Sequence, residues 1–266
     1  MLDPEIERHY AAGIERERLA GPNLERLRTE ELLERFLPPP PADVLDVGGG
    51  PGVYAAWLAR RGYRVHLVDA LPLHVEQARA AAGAQPDHGF TAELGDARTL
   101  EAADECVDAV LLLGPLYHLT ERDDRVAALA EARRVARRGG PVLAAAISRF
   151  ASLLDGFRQG FILDPAFARI VGRGLRDGQH RNPDGREEWF TTAYLHHPDD
   201  LAREVEEAGL ALDALLGIEG PGWLFARDRD DPAWLEAALH AARAVEGEPA
   251  LRAVSGHLLA VGTRAS

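Results

Sequence analysis

Apolar residues in the first 37 positions recur at helical spacing. Ile6, Tyr10 and Ile14 lie four apart, and Leu24, Leu27, Leu32, Leu33 and Phe36 line a second face. Two helices are predicted, separated by Gly21-Pro22-Asn23, and Pro38-Pro39-Pro40-Pro41 stops the second. From residue 44 the period changes. Apolar runs suited to strands (Val44–Val47, Arg64–Val68, a weaker Gly89–Leu94, Cys106–Leu113, Pro141–Ile147) alternate with helical stretches such as Leu73–Ala82 and Glu121–Arg137. Repeated strand–helix units with near-continuous apolar strands predict a doubly wound α/β fold, its parallel sheet covered on both faces. Across 149–190 the alternation breaks and no clear strand is read. Phe150, Phe157, Phe161 and Phe167 recur at loosely helical spacing ahead of a polar loop, 177–186, which predicts an inserted helical cap. A helix (Asp199–Ala208), a strand (Leu210–Leu216), a helix (Pro232–Val245) and a last strand (His257–Gly262) complete the chain. The expected domains are an N-terminal helical lid (1–41), a core (42–148 and 191–266) and the cap (149–190).

Composition narrows the chemistry. The chain has 266 residues, a single cysteine (Cys106) and no lysine. Intrachain disulfides, CxxC pairs, Schiff-base chemistry and the P-loop lysine are therefore excluded. None of the four serines sits in a GxSxG elbow, which excludes an ordinary α/β-hydrolase. A net charge of −13 argues against nucleic acid as a partner. The basic pairs Arg133-Arg134 and Arg137-Arg138 fall at a predicted helix end, where cations offset the helix dipole. No apolar run reaches the ~18 residues needed to span a bilayer. Met1–Glu5 has no basic or apolar leader character, so a soluble cytoplasmic protein is expected.

The most informative stretch is Val44-Leu45-Asp46-Val47-Gly48-Gly49-Gly50-Pro51-Gly52, a buried strand running into a glycine loop and then a helix. Glycines let backbone approach a ligand closely, and in a doubly wound sheet ligands bind at the carboxyl ends of the central strands. Gly50-x-Gly52-x-x-Ala55 fits a dinucleotide loop. Gly48-x-Gly50-x-Gly52, opened by Asp46, fits better a loop that holds S-adenosylmethionine, and Pro51 removes an N–H where a pyrophosphate needs donors. Asp69 ends the second strand, at the spacing of a carboxylate that accepts from ribose hydroxyls in either class. Asp96, in Gly95-Asp96-Ala97-Arg98, stands where a carboxylate can take an adenine amino group.

Together VLDVGGGPG, HLVDALPLHVEQA, GDAR, VDAVLLLGPLYHL and ARRGGPVLAAAI resemble, in order and spacing, motifs I to V of class I S-adenosylmethionine-dependent methyltransferases. The likeness covers residues 42–148 strongly and 191–262 more loosely. It implies a seven-stranded, mostly parallel sheet of order 3-2-1-4-5-7-6 with the last strand antiparallel. It implies S-adenosyl-L-methionine as cofactor, S-adenosyl-L-homocysteine as product and a small-molecule acceptor. By position, Gly48, Gly50 and Gly52 wrap the methionine part and Asp46 lies near its amino group. Asp69 takes the ribose, Asp96 and Ala97 the adenine, Gly114 lies near the sulfonium, and Ala70 belongs to the cofactor-binding set. The chain departs from a minimal member in its N-terminal helices, its cap and the helix between its last two strands. It also lacks the Asn/Asp-Pro-Pro-Tyr/Phe motif of enzymes acting on base amines or glutamine.

Methyl transfer is an in-line displacement on an activated carbon, so much of the catalysis can be positioning. His118, directly after the fourth strand, is the best-placed base, and Tyr117 can aim its hydroxyl at the nucleophile; a wall role is the alternative for each. Phe150, Phe157 and Trp189 are expected to roof a substrate pocket, with Tyr10 and Tyr194 facing it. The adjacent His196-His197 point oppositely on a strand and make a poor metal pair, so no metal site is expected. Whether O, N or C is methylated stays open, as does a homodimer through the N-terminal helices. The competing readings are a nicotinamide-dependent oxidoreductase and a non-catalytic S-adenosylmethionine-binding protein.

Overall fold

The computed structural model describes residues 4–11, 23–225 and 231–265. Ile14 and the Gly21-Pro22 break lie outside them. The expected central alternation is present: β1 (Asp43–Val47), α3 (Val53–Arg60), β2 (Arg64–Asp69), α4 (Pro72–Gly83), β3 (Thr91–Leu94), β4 (Ala109–Leu112), α5 (Pro115–His118), α6 (Arg122–Val135) and β5 (Pro141–Ser148). Before it come α1 (Pro4–Ala11) and α2 (Leu24–Phe36). After it come α7 (Ala151–Gln159), α8 (Pro165–Asp177), β6 (Gln179–His180), β7 (Ala193–His196), α9 (Pro198–Glu207), β8 (Leu210–Gly217), α10 (Pro232–Val245) and β9 (His257–Arg264).

The seven strands read from the sequence pair in the order β3-β2-β1-β4-β5-β9-β8, which is 3-2-1-4-5-7-6 when only those seven are numbered. β1 to β5 run parallel, whereas β9 lies antiparallel between β5 and β8. Two short strands add to this expectation. β7 pairs with the end of β5 at Ile147–Leu195 and Ser148–His196, and β6 pairs with β7. A two-residue segment such as β6 is too short to impose a period on the sequence.

Each face of the sheet carries its own core. α2, α3 and α4 bring Leu32, Leu33, Leu58 and Ala78 to one side; α6 and α9 bring Ala128, Leu129, Leu201 and Val205 to the other. A small separate core, Phe167, Val171 and Trp189, holds the 149–190 segment together. Two buried arginines fix helices relative to strands. Arg28 on α2 pairs with Glu31 and Glu246 and donates to the Ile218 carbonyl at 3.3 Å, which seats α2 beside the end of β8. Arg125 on α6 donates to Glu204 on α9 at 2.6 Å and lies 3.6 Å from the Tyr194 ring centroid. α1 rests on the chain through Ile6 and Tyr10, both buried. Among the described residues, no helix is long and apolar enough to cross a membrane.

Candidate active site

The loop after β1 meets the loop after β4. Gly48 has φ +69°, and a Cβ there would lie 2.6 Å from the Pro115 ring. A Cβ on Gly114 would lie 2.6 Å from the Gly48 carbonyl oxygen. Only glycine at both positions permits this approach. The loops floor a cleft. Asp46, Gly48, Gly50, Gly114 and Tyr117 border it, with Tyr54 from α3, Glu25 and Thr29 from α2, and Ile218 and His257 from the ends of β8 and β9.

Asp46 is the anomaly of this cleft. It is fully buried, and neither carboxylate oxygen has a hydrogen-bond partner among the described residues. Burial, and secondarily the charge of Asp69, pushes its carboxyl up to about 7. A buried carboxylate without a donor is costly, and a cation brought to it would offset that cost. Asp69, by contrast, is tied into the loop. Its Oδ2 accepts the Gly50 N–H at 2.9 Å, and its Oδ1 accepts the Leu71 N–H at 2.9 Å and contacts His74 Nδ1 at 3.1 Å. Asp96 is held by Arg98, whose backbone N–H and Nε donate to Oδ1 at 2.9 Å; this guanidinium holds the carboxyl below its ordinary range despite partial burial.

Residues 44–140 match a methyltransferase-domain family. Across 240 residues the chain is 31% identical to the ubiquinone biosynthesis O-methyltransferase of Methylocella silvestris, covering 85% of this chain and 76% of that one. The chain belongs to the S-adenosylmethionine-dependent methyltransferases. It is also 31% identical over 193 residues to the methyltransferase GfsG of Streptomyces halstedii, spanning 71% of this chain and 60% of that protein's length. In fold it is similar to an S-adenosylmethionine-dependent methyltransferase from Mesorhizobium loti, with a TM-score of 0.61 at 18% identity over 92% of this chain and all of that one.

The donor set suits this family's cofactor, which carries an ammonium and a sulfonium. The unpartnered Asp46 offers a buried anion, and the glycine loop offers open backbone, since a Cβ on Gly50 would meet nothing within 4 Å. The other sequence-read residues lie at varied places. Gly52 caps α3 with its Cα against Phe90, behind the loop. Ala70 is exposed and Ala97 buried. His118 is not among the residues bordering the cleft: its Nε2 shares a 2.6 Å hydrogen bond with the Tyr10 hydroxyl, and its ring stacks on Phe190. Tyr117 borders the cleft with its hydroxyl donating to Leu113 O at 3.3 Å.

The expected roof residues are not brought together over the cleft. Phe157 is 66% exposed, Trp189 fills the small cap core and Phe150 packs on His197. Tyr194 is held between Arg125 and Arg149. His196 is buried against Glu204 at 3.1 Å, and burial lowers its basicity. The fold instead assembles a group that the sequence reading missed. Glu25, Glu219 and His257 place ligand atoms within 4.8 Å of one another at the cleft wall.

Proposed function

We propose that the chain transfers the methyl group of S-adenosylmethionine to a hydroxyl of a small molecule. When bound, the cofactor supplies a methyl carbon activated by a sulfonium. The observation that carries this reading is Asp46, a fully buried carboxylate without a partner among the described residues, facing a glycine-floored cleft. In this reading Asp46 and the Gly48–Gly50 loop hold the amino-acid end, Asp69 and Ala70 the ribose, and Asp96 and Ala97 the adenine. Gly114 and Tyr117 border the reacting atoms. Asp69 can serve a ribose while keeping its loop bonds, since a carboxylate has about four acceptor sites. The 31% identity to an O-methyltransferase over most of both chains supports oxygen as the methylated atom.

The N-terminal helices act as a lid in this reading. Ile6 and Tyr10 are buried against their own chain, which favours a cover for its own site over an arm reaching to a second copy. The segment 149–190 serves as a cap, shaping the acceptor entrance with its outer apolar side chains. Calorimetry with S-adenosylhomocysteine and NAD⁺ tests the cofactor. Binding of the first and not the second is expected. Mass spectrometry after incubation with a panel of phenols, alcohols, amines and carboxylic acids tests the acceptor. A gain of 14 mass units confined to amines would overturn the hydroxyl assignment.

A further inference from the structure

The end of β8 and the start of β9 build a hydrogen-bonded dyad at the cleft wall. The pairing of these antiparallel strands runs to Gly217–Leu258 and continues with the Ile218 N–H donating to His257 O at 3.0 Å, so Glu219 and His257 emerge side by side. Glu219 is buried, and both of its oxygens are committed. Oε2 accepts the His257 backbone N–H at 2.9 Å and the Ser255 hydroxyl at 2.6 Å. Oε1 faces His257 Nδ1 at 2.5 Å. The Ser255 oxygen in turn accepts the Glu219 and Gly220 N–H groups at 2.8 and 3.2 Å. Burial pushes the Glu219 carboxyl upward, but His257 and the Ser255 hydroxyl outweigh it and hold Glu219 ionised. A carboxylate locked on Nδ1 keeps the proton there and leaves Nε2 as the basic nitrogen. His257 borders the same cleft as the glycine loop. Glu25, on the first turn of α2, faces the same dyad.

We propose that His257 is the proton acceptor for the hydroxyl substrate and that Glu219 is its positioning residue. The inference rests on the hydroxyl-methylation reading above. As the acceptor oxygen bonds the methyl carbon, the carbon–sulfur pair passes to sulfur, and the acceptor's O–H proton goes to His257 Nε2. Glu219 stabilises the resulting imidazolium, which later returns the proton to solvent. The same three side chains resemble a cation site, but both Glu219 oxygens are already engaged within the dyad, which favours proton transfer over metal binding.

The test begins without turnover. In ¹⁵N-histidine-labelled full-length protein, His257 should show the Nδ1–H tautomer at pH 8, with or without S-adenosylhomocysteine. In Glu219→Gln the Ser255 hydroxyl and the His257 N–H claim the amide oxygen, so the NH₂ group faces Nδ1 and the ring should switch to Nε2–H. With the phenol or alcohol that gains 14 mass units in the acceptor panel, His257→Gln and Glu219→Gln should each lose ~10²–10⁴-fold in kcat. Their dissociation constants for S-adenosylhomocysteine should stay within about threefold of wild type, because the dyad would face the acceptor and not the cofactor. An Nε2–H tautomer in the wild type would overturn the proposal even if the variants fail to fold. So would a wild-type kcat in His257→Gln, or activity abolished by EDTA and restored by Mg²⁺ or Mn²⁺. A wild type that binds no S-adenosylhomocysteine would instead sink the methyl-transfer reading, leaving the tautomer result to judge the dyad.

Discussion

Replacing Asp46 with Asn removes a buried charge while keeping the side chain's shape. The carboxyl stands at about 7 in the folded chain against an ordinary 3.8. A folded-state value above the unfolded one means that the contribution to stability is complete below about 3.8 and is lost as pH rises through about 7. At 1.36 kcal/mol per pH unit, the full loss is about 4 kcal/mol. Between pH 5 and 8.5 the loss is about 3 kcal/mol. Asn does not titrate, so the stability of Asp46→Asn minus that of wild type should rise by about 3 kcal/mol over this range, whatever fixed cost the buried amide adds. Urea unfolding at a series of pH values in the absence of ligand measures it.

Ligand binding should reverse the sign. An ammonium brought to Asp46 favours the ionised form, so at pH 6 binding of S-adenosylhomocysteine should release roughly 0.9 proton from this group. The buffer dependence of the calorimetric enthalpy reports that release. Asp46→Asn should abolish it and weaken binding by at least about 30-fold, the equivalent of ~2 kcal/mol for a buried charge left without its partner. A pH-independent stability difference together with an unchanged dissociation constant would refute the idea that Asp46 is an anion held for a cationic ligand.

Gly48→Ala should abolish S-adenosylhomocysteine binding in calorimetry, because the new methyl group would lie 2.6 Å from the Pro115 ring at a φ of +69°. Glu204→Gln should destabilise the fold by about 3–5 kcal/mol in urea unfolding, since it leaves the buried Arg125 without its counter-charge. The Glu204 carboxyl is held at about 2 because the bonds from His196 and Arg125 outweigh the upward push of burial, so its stabilisation is present above its ordinary 4.5 and fades only as pH falls toward 2. The Glu204→Gln difference should therefore persist unchanged between pH 6 and 8.

The main strands are legible because buried strands must be apolar almost throughout, their order only through the resemblance to the methyltransferase family, and the glycine loop because a βα turn this closely packed needs glycine. Boundaries were less legible. The apolar run Cys106–Leu113 forms a strand only over Ala109–Leu112; Val107 instead makes an isolated bridge to Ala136. The aromatic residues of the cap look alike in the sequence, yet Trp189 is 2% exposed and Phe157 66%. Residue type alone does not separate an aromatic anchor from an outward-facing one when the helices carrying them are short and pack on each other.

His118 and His257 show the same limit from opposite sides. His118 ends the short helix α5 that follows β4, a strand running toward the ligand end of the sheet, so its place in the sequence makes it a candidate. The fold spends its Nε2 on Tyr10, from a helix more than 100 residues earlier. His257 opens its strand, and its partner Glu219 lies 38 residues upstream in a Gly-rich stretch that reads as a loop. What joins them is that β9 runs antiparallel to its neighbours β5 and β8. In a parallel strand the ligand side is the carboxyl end; in this one it is the amino end. A polar residue just before the last apolar run, and another just after the run preceding it, therefore meet at the cleft. That signal is present in Gly217-Ile218-Glu219 and Gly256-His257-Leu258, and it carries meaning only together with the reversed direction of β9.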